Sequence, residues 1–172
     1  MADYVDLLGP RSMQNAWPWP ERRLTYANAA IAEALIAAGA ALGDGRLVAD
    51  GLALLDWLLA METSGGHLTV TPVGGWGLGE TRATFDQQPI EAAALADACA
   101  RALALRGEPR WASGLGRSIR WFLGDNAGGV ILYDPDSGGG FDALTSTGRN
   151  TNQGAESTLA MLATMEHSQR GL

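Results

Sequence analysis

Two short polar clusters carry the side chains best suited to chemistry. Asp86, Gln87, Gln88 and Glu91 place two carboxylates and two amides within six positions, and Asn152, Gln153 and Glu156 present a similar group later in the chain. Cleaving a glycosidic bond takes one carboxylic acid to protonate the leaving oxygen and one carboxylate as nucleophile or water-activating base. Asp86 with Glu91 or Glu156 is a chemically adequate set. Carboxyl separations of about 5 to 5.5 Å would point to retention of configuration, and about 6.5 to 9.5 Å to inversion. Gln87, Gln88, Asn152 and Gln153 are suited to hydrogen-bonding sugar hydroxyls, while Trp76, Trp17, Trp19 and Tyr133 offer flat faces for pyranose rings. His67 follows Gly65-Gly66 in a loop, where it is either a proton carrier or a structural histidine.

Each of these residues also has a plainer reading. Asp86 serves equally as an N-cap, and Gln87, Asn28 and Asn152 as partners for free N–H groups at helix starts. Glu91 and Glu156 are first-turn acids that complement a helix dipole. The acids from Asp134 to Asp142 lack the EF-hand spacing, so a turn is expected there and no metal site is assigned. Gly74-Gly75-Trp76-Gly77-Leu78-Gly79 is not a nucleotide cradle, because no strand of a βαβ unit precedes it and no helix starts directly after it. No cofactor is expected.

Composition narrows the classes further. The chain has 172 residues, 47% of them hydrophobic and 18% charged, a balance that supports one packed domain over 1–172. All 12 basic residues are Arg, which removes a phosphate-binding, Schiff-base or general-base lysine from consideration. A net charge of -7 argues against a nucleic-acid partner. Cys99 stands alone in an apolar run and reads as a buried, inert thiol. Neither a signal peptide nor an apolar run of ~18 residues is visible, so no membrane partner is expected and a cytoplasmic location is the default.

The elements that must position the polar clusters are helices. An irregular, Trp- and Pro-rich lead-in over 1–23 gives way to an Ala-rich helix from Tyr26 to Leu42, stopped by Gly43-Asp44-Gly45. A second helix is predicted from Arg46 to Met61, followed by a short β excursion near 67–73 that Pro72 and Gly74-Gly75 close. Pro89 suits the first turn of a third helix reaching Arg106, and Gly107-Glu108-Pro109 separates it from a fourth over Arg110 to Leu123. The last helix spans Glu156 to Gln169.

Tyr26-Ala27-Asn28 aligns with Phe85-Asp86-Gln87, and Trp57-Leu58-Leu59 with Trp121-Phe122-Leu123. The period is roughly sixty residues, and each unit is a helical hairpin with a long Gly-rich loop. This divides the chain into 24–82, 83–148 and 149–172, about two and a half hairpins. Hairpins of this kind bury their faces only by stacking on neighbours, in a solenoid or a closed ring.

The segments WPWPERRLTYANAAIAEALIAAGAALGD, HLTVTPVGGW, FDQQPIEAAALADACARA, WFLGDN and NQGAESTLAML resemble the C-terminal helical region of bacterial family-4-type glycosyltransferase polypeptides, over most of residues 16 to 168. The resemblance implies an all-α fold in which the hairpins form about half of an (α/α)6 toroid, related to six-hairpin glycosidases and acylglucosamine 2-epimerases. In such toroids the inner helices begin at one rim and their polar starts line a central cleft. Ala27 departs from the resembling sequences, which often carry an acid there.

The reading that follows is a carbohydrate-active, glycoside hydrolase-like domain with a saccharide as its partner. Its catalytic acids would be Asp86, Glu91 and Glu156, and its binding residues Gln87, Gln88, Asn152, Gln153, His67, Trp76 and Tyr133. The second reading is a noncatalytic helical module that packs against a glycosyltransferase or completes a toroid with a second copy of itself. Half a ring leaves hairpin faces uncovered, so a dimer is expected.

Overall fold

A computed structural model describes residues 17–169. The earlier part of the lead-in and the tail Arg170-Gly171-Leu172 lie outside the described residues. Among the described residues five helices are present: α1 (Ala29–Leu42), α2 (Gly45–Met61), α3 (Pro89–Arg106), α4 (Pro109–Phe122) and α5 (Ala155–Gln169). Their limits follow from local chemistry. Gly43 and Gly107 end α1 and α3 in the left-handed conformation, at φ 67 and 66°, which costs glycine nothing because it has no Cβ. Pro89 and Pro109 each open a helix, where a missing N–H leaves no bond unmade.

Asp44 is the N-cap of α2, its carboxylate accepting from the N–H groups of Arg46 at 3.0 Å and Leu47 at 3.1 Å. Asp44→Ala removes that acceptor from two otherwise free donors. It is expected to lower stability by about 1 kcal/mol in urea denaturation, with the slope of the transition unchanged.

The helices pair as two hairpins, α1 with α2 and α3 with α4, and α3 also packs against both α1 and α5. Leu54, Leu55, Leu58, Leu95, Trp111, Trp121 and Phe122 form the centre of one continuous apolar core. The described end of the lead-in packs on this body as its composition predicts. Trp19 stacks on Trp57 with centroids 6.0 Å apart, and Trp17 meets Trp57 and Trp76 edge-on at 5.2 and 5.3 Å. Cys99 is buried and its thiol is pushed up to about 12, mainly by desolvation, so it is held as an unreactive thiol.

Three antiparallel strand pairs decorate the helices: β1 (Arg23–Leu24) with β4 (Trp76–Gly77), β2 (Thr63–Ser64) with β3 (His67–Leu68), and β5 (Ala143–Thr145) with β6 (Gly148–Asn150). The β excursion expected over 67–73 is therefore a strand only at His67–Leu68. Beyond it the backbone satisfies its donors elsewhere. Thr69 N–H reaches the Glu62 carbonyl at 2.8 Å, Val70 N–H the Gln87 side chain at 3.2 Å, and Thr71 N–H the Glu62 carboxylate at 3.0 Å. One backbone carbonyl and two side chains beside the helix ends take the place of a partner strand.

Candidate functional site

The helix starts share a backbone device that the sequence does not display. Ala27 (φ 46°) and Asp86 (φ 66°) are the two non-glycine residues with positive φ among the described residues, and they occupy equivalent places in the repeat. Each turns its own N–H and the next one toward a single acceptor group. Ala27 and Asn28 donate to the Glu91 carboxylate at 2.5 and 3.2 Å, and Asp86 and Gln87 donate to the Leu144 carbonyl at 3.1 and 3.0 Å. Successive N–H groups converging in this way form an electropositive nest. In one repeat α3 fills it, and in the other the following loop does.

Glu91 is consequently an internal tie. It is buried, and its Oε2 also accepts from the Asn28 amide at 3.1 Å. Burial raises its carboxyl above the ordinary range, and the bonds from Asn28 and Ala27 work against that rise. Gln87 is fully buried too, accepting from Trp121 Nε1 at 3.0 Å and donating to the Thr84 carbonyl at 2.6 Å. Both residues join the hairpins rather than face solvent.

The exposed part of the helix-start cluster is built differently. Asp86 is exposed and is not the N-cap considered for it, because the left-handed turn at Asp86 places Gln88 at the α3 cap, without a side-chain cap bond. Glu156, in the first turn of α5, accepts a 2.6 Å bond from the Tyr26 hydroxyl just before α1. That bond raises the Tyr26 pKa, with burial and the charges of Glu156 and Glu91 adding to the rise. Tyr26 is 55% exposed. The starts of α1, α3 and α5 thus lie together at one end of the helices. Sequence reasoning missed Tyr26, although its alignment with Phe85 in the repeat marks an aromatic position at each start.

Asn152 and Gln153 are engaged with the preceding loop. Asn152 donates to Asp142, whose Oδ1 also accepts from Gly154 N–H and the Ser157 hydroxyl, both at 2.7 Å. Gln153 donates to Asp134 at 3.0 Å and accepts from Ser137 at 2.7 Å. Hydrogen bonds, with Ser157 first for Asp142 and Gln153 first for Asp134, hold both carboxyls below their usual value. Among the described residues no group of three or more His, Cys, Asp or Glu side chains could hold a metal ion.

The remaining candidates sit apart from the helix starts. Trp76 is buried against Trp17 with the Arg82 guanidinium over its ring, so it offers no free stacking face. Half-buried His67 pairs with Ser64 in the β2–β3 hairpin. Tyr133 packs on the core and bridges Gly140.

A further acid escaped sequence reasoning. Glu62, the C-cap of α2, is buried, and its Oε1 accepts from both the N–H and the hydroxyl of Thr71. Burial, reinforced by the charge of Glu91, lifts its pKa to about 7, while Thr71 and Arg82 oppose the rise. The repeat carries a faint signal, because aligning Trp57 with Trp121 sets Glu62 over Asn126, another buried polar residue.

Along their lengths α1, α3 and α5 are laced by charge. Arg101 of α3 pairs with Glu33 of α1, and His167 of α5 meets Asp97 of α3 at 2.7 Å, beside a cavity of about 600 Å³ whose wall includes Leu103 and Leu115. No described helix is long and apolar enough to cross a membrane. Compared with known proteins, the chain matches no family model and no curated sequence.

Proposed function

We propose that the hairpins form an arc of an (α/α)6 toroid and that its rim of helix starts binds a saccharide and hydrolyses a glycosidic bond. The observation that supports this most directly is the 2.6 Å bond from Tyr26 to Glu156, which brings the starts of α1 and α5 together on either side of α3. Glu156, which accepts the Tyr26 hydroxyl bond, is cast as the nucleophile or water-activating base and exposed Asp86 as the acid. Glu91, with both oxygens committed to Ala27 and Asn28, holds the rim in shape. Gln88, half-buried at the cap of α3, is placed to bond a sugar hydroxyl.

Hydrolysis of aryl glycosides and short oligosaccharides by wild type, Asp86→Asn, Glu156→Gln and Tyr26→Phe tests the assignment. Loss of roughly 10²-fold or more in kcat is expected for the first two. A smaller loss is expected for Tyr26→Phe. Absence of turnover together with absence of any sugar-induced rise in melting temperature sinks the reading.

A noncatalytic, self-associating module has one observation in its favour. Leu159 and Leu162 are 65% and 52% exposed on α5, the inner helix that has no hairpin partner among the described residues. Sedimentation then gives a dimer that Leu159→Glu dissociates, and no sugar alters the melting temperature.

A further inference from the structure

Glu62 is buried and Arg82 half-buried, close enough for each to feel the other's charge, yet Glu62 Oε2 and Arg82 Nε both lack a hydrogen-bond partner. Around them the segment from β2 to Phe85 is held by these two side chains together with the β1–β4 pairing, the Val70 N–H bond to Gln87 and the buried side chains of Leu68, Val70 and Trp76. Glu62 takes both donors of Thr71, and Arg82 donates to the carbonyls of Met61, at 2.5 Å, and Thr69. The same segment continues to the rim, where Val73 N–H donates to the Asp86 carbonyl at 2.9 Å and Pro72 bridges Gln87.

We propose that Glu62 is a proton-operated latch: protonated, it clamps the 63–84 segment onto the helix ends, and on losing the proton it loosens that segment and with it the rim at Asp86. The groups that govern it come from three elements. Thr71 and Arg82 belong to the segment itself, Met61 to α2, and Glu91 to α3, where its own carboxylate is fixed by Ala27 and Asn28 of the α1 start. With a proton on Oε2, Oε1 still accepts both Thr71 donors and Glu62 buries no charge of its own. Without it, a second buried carboxylate stands in the field of Glu91, and Arg82 answers it without a direct bond.

The folded pKa of about 7 lies above the ordinary 4.5, so the clamped state is fully favoured below 4.5 and is lost as pH rises through 7. One titrating group supplies at most about a tenfold change in opening per pH unit.

Hydrogen exchange of the full chain at pH 6 and pH 8, corrected for intrinsic rates, reads the latch without any substrate. Protection over 67–75 is expected to fall by roughly threefold to tenfold between the two, with α4 unchanged, and Glu62→Gln is expected to hold its pH 6 protection at pH 8. Equal wild-type protection at both pH values, or a Glu62→Gln protein that follows wild type, overturns the proposal. Carboxyl carbon NMR of wild type decides it even if that variant does not fold: a Glu62 midpoint near neutrality is expected, and one in the ordinary carboxylate range refutes the latch.

Discussion

Glu91→Ala is expected to lower stability by about 3 to 5 kcal/mol, the scale for removing one partner of a buried charged network. The carboxylate is the shared acceptor for Ala27 N–H, Asn28 N–H and the Asn28 amide, so truncation strands three donors in the joint between α1 and α3. It also removes the anion from the nest that holds Ala27 in its left-handed conformation. At roughly 2 to 4 °C per kcal/mol for a chain of this size, the melting temperature should drop by about 10 °C. Glu91→Gln keeps one acceptor oxygen but turns an amide N–H2 toward a donor, so about 1 to 2 kcal/mol is expected. These shifts separate two roles that activity alone confuses. A catalytic acid free of structural duty would lose turnover on substitution and keep its melting temperature, whereas Glu91 should lose stability first. A melting temperature within a degree of wild type for Glu91→Ala would return Glu91 to the list of candidate acids.

The helices were legible because their ends carry local signals. Pro89 marks a start, Gly43 and Gly107 mark stops, and the apolar spacing of Leu54, Leu55, Leu58 and Leu59 declares the buried face of α2, whereas Pro109, assigned to the turn before α4, is that helix's first residue. The polar helix starts were legible as a repeat but not as a division of labour. Whether a first-turn acid faces solvent or a neighbour depends on which helix lies beside it. Glu91 meets the α1 start and is consumed there, while Glu156 meets Tyr26 and stays at the surface. The left-handed turn at Asp86 was hidden because aspartate is also a favoured N-cap, and composition cannot separate the two uses. Trp76 read as a stacking face because its neighbours Trp17 and Arg82 are distant along the chain or across a loop. Glu62 was invisible for the same reason, since its partners Thr71, Arg82 and Glu91 belong to later elements.

Gly51→Ala and Gly116→Ala are expected to move stability in opposite directions. Both lie within helices, where alanine in place of glycine gains about 1 kcal/mol in helix propensity. A Cβ on Gly51 would stand 2.9 Å from the Ile36 nitrogen and 3.0 Å from the Ala32 carbonyl oxygen. These are backbone atoms of α1 and cannot turn aside, so α1 and α2 must separate. Gly39 makes the reciprocal contact from α1, where a Cβ would meet Val48 N at 2.7 Å, so the two glycines set how closely the first hairpin closes. Overpacking of this kind costs about 1 to 3 kcal/mol and exceeds the propensity gain, giving a net loss of about 1 to 2 kcal/mol for Gly51→Ala. At Gly116 the one atom within 4 Å of a new Cβ is the far end of the Arg120 side chain, 3.2 Å away, which can swing clear. Gly116→Ala should therefore gain most of its ~1 kcal/mol. Urea denaturation of the two variants checks the pair against each other. A stabilised Gly51→Ala would mean that α1 and α2 can part without cost, and that Gly39 and Gly51 do not set how closely the first hairpin closes.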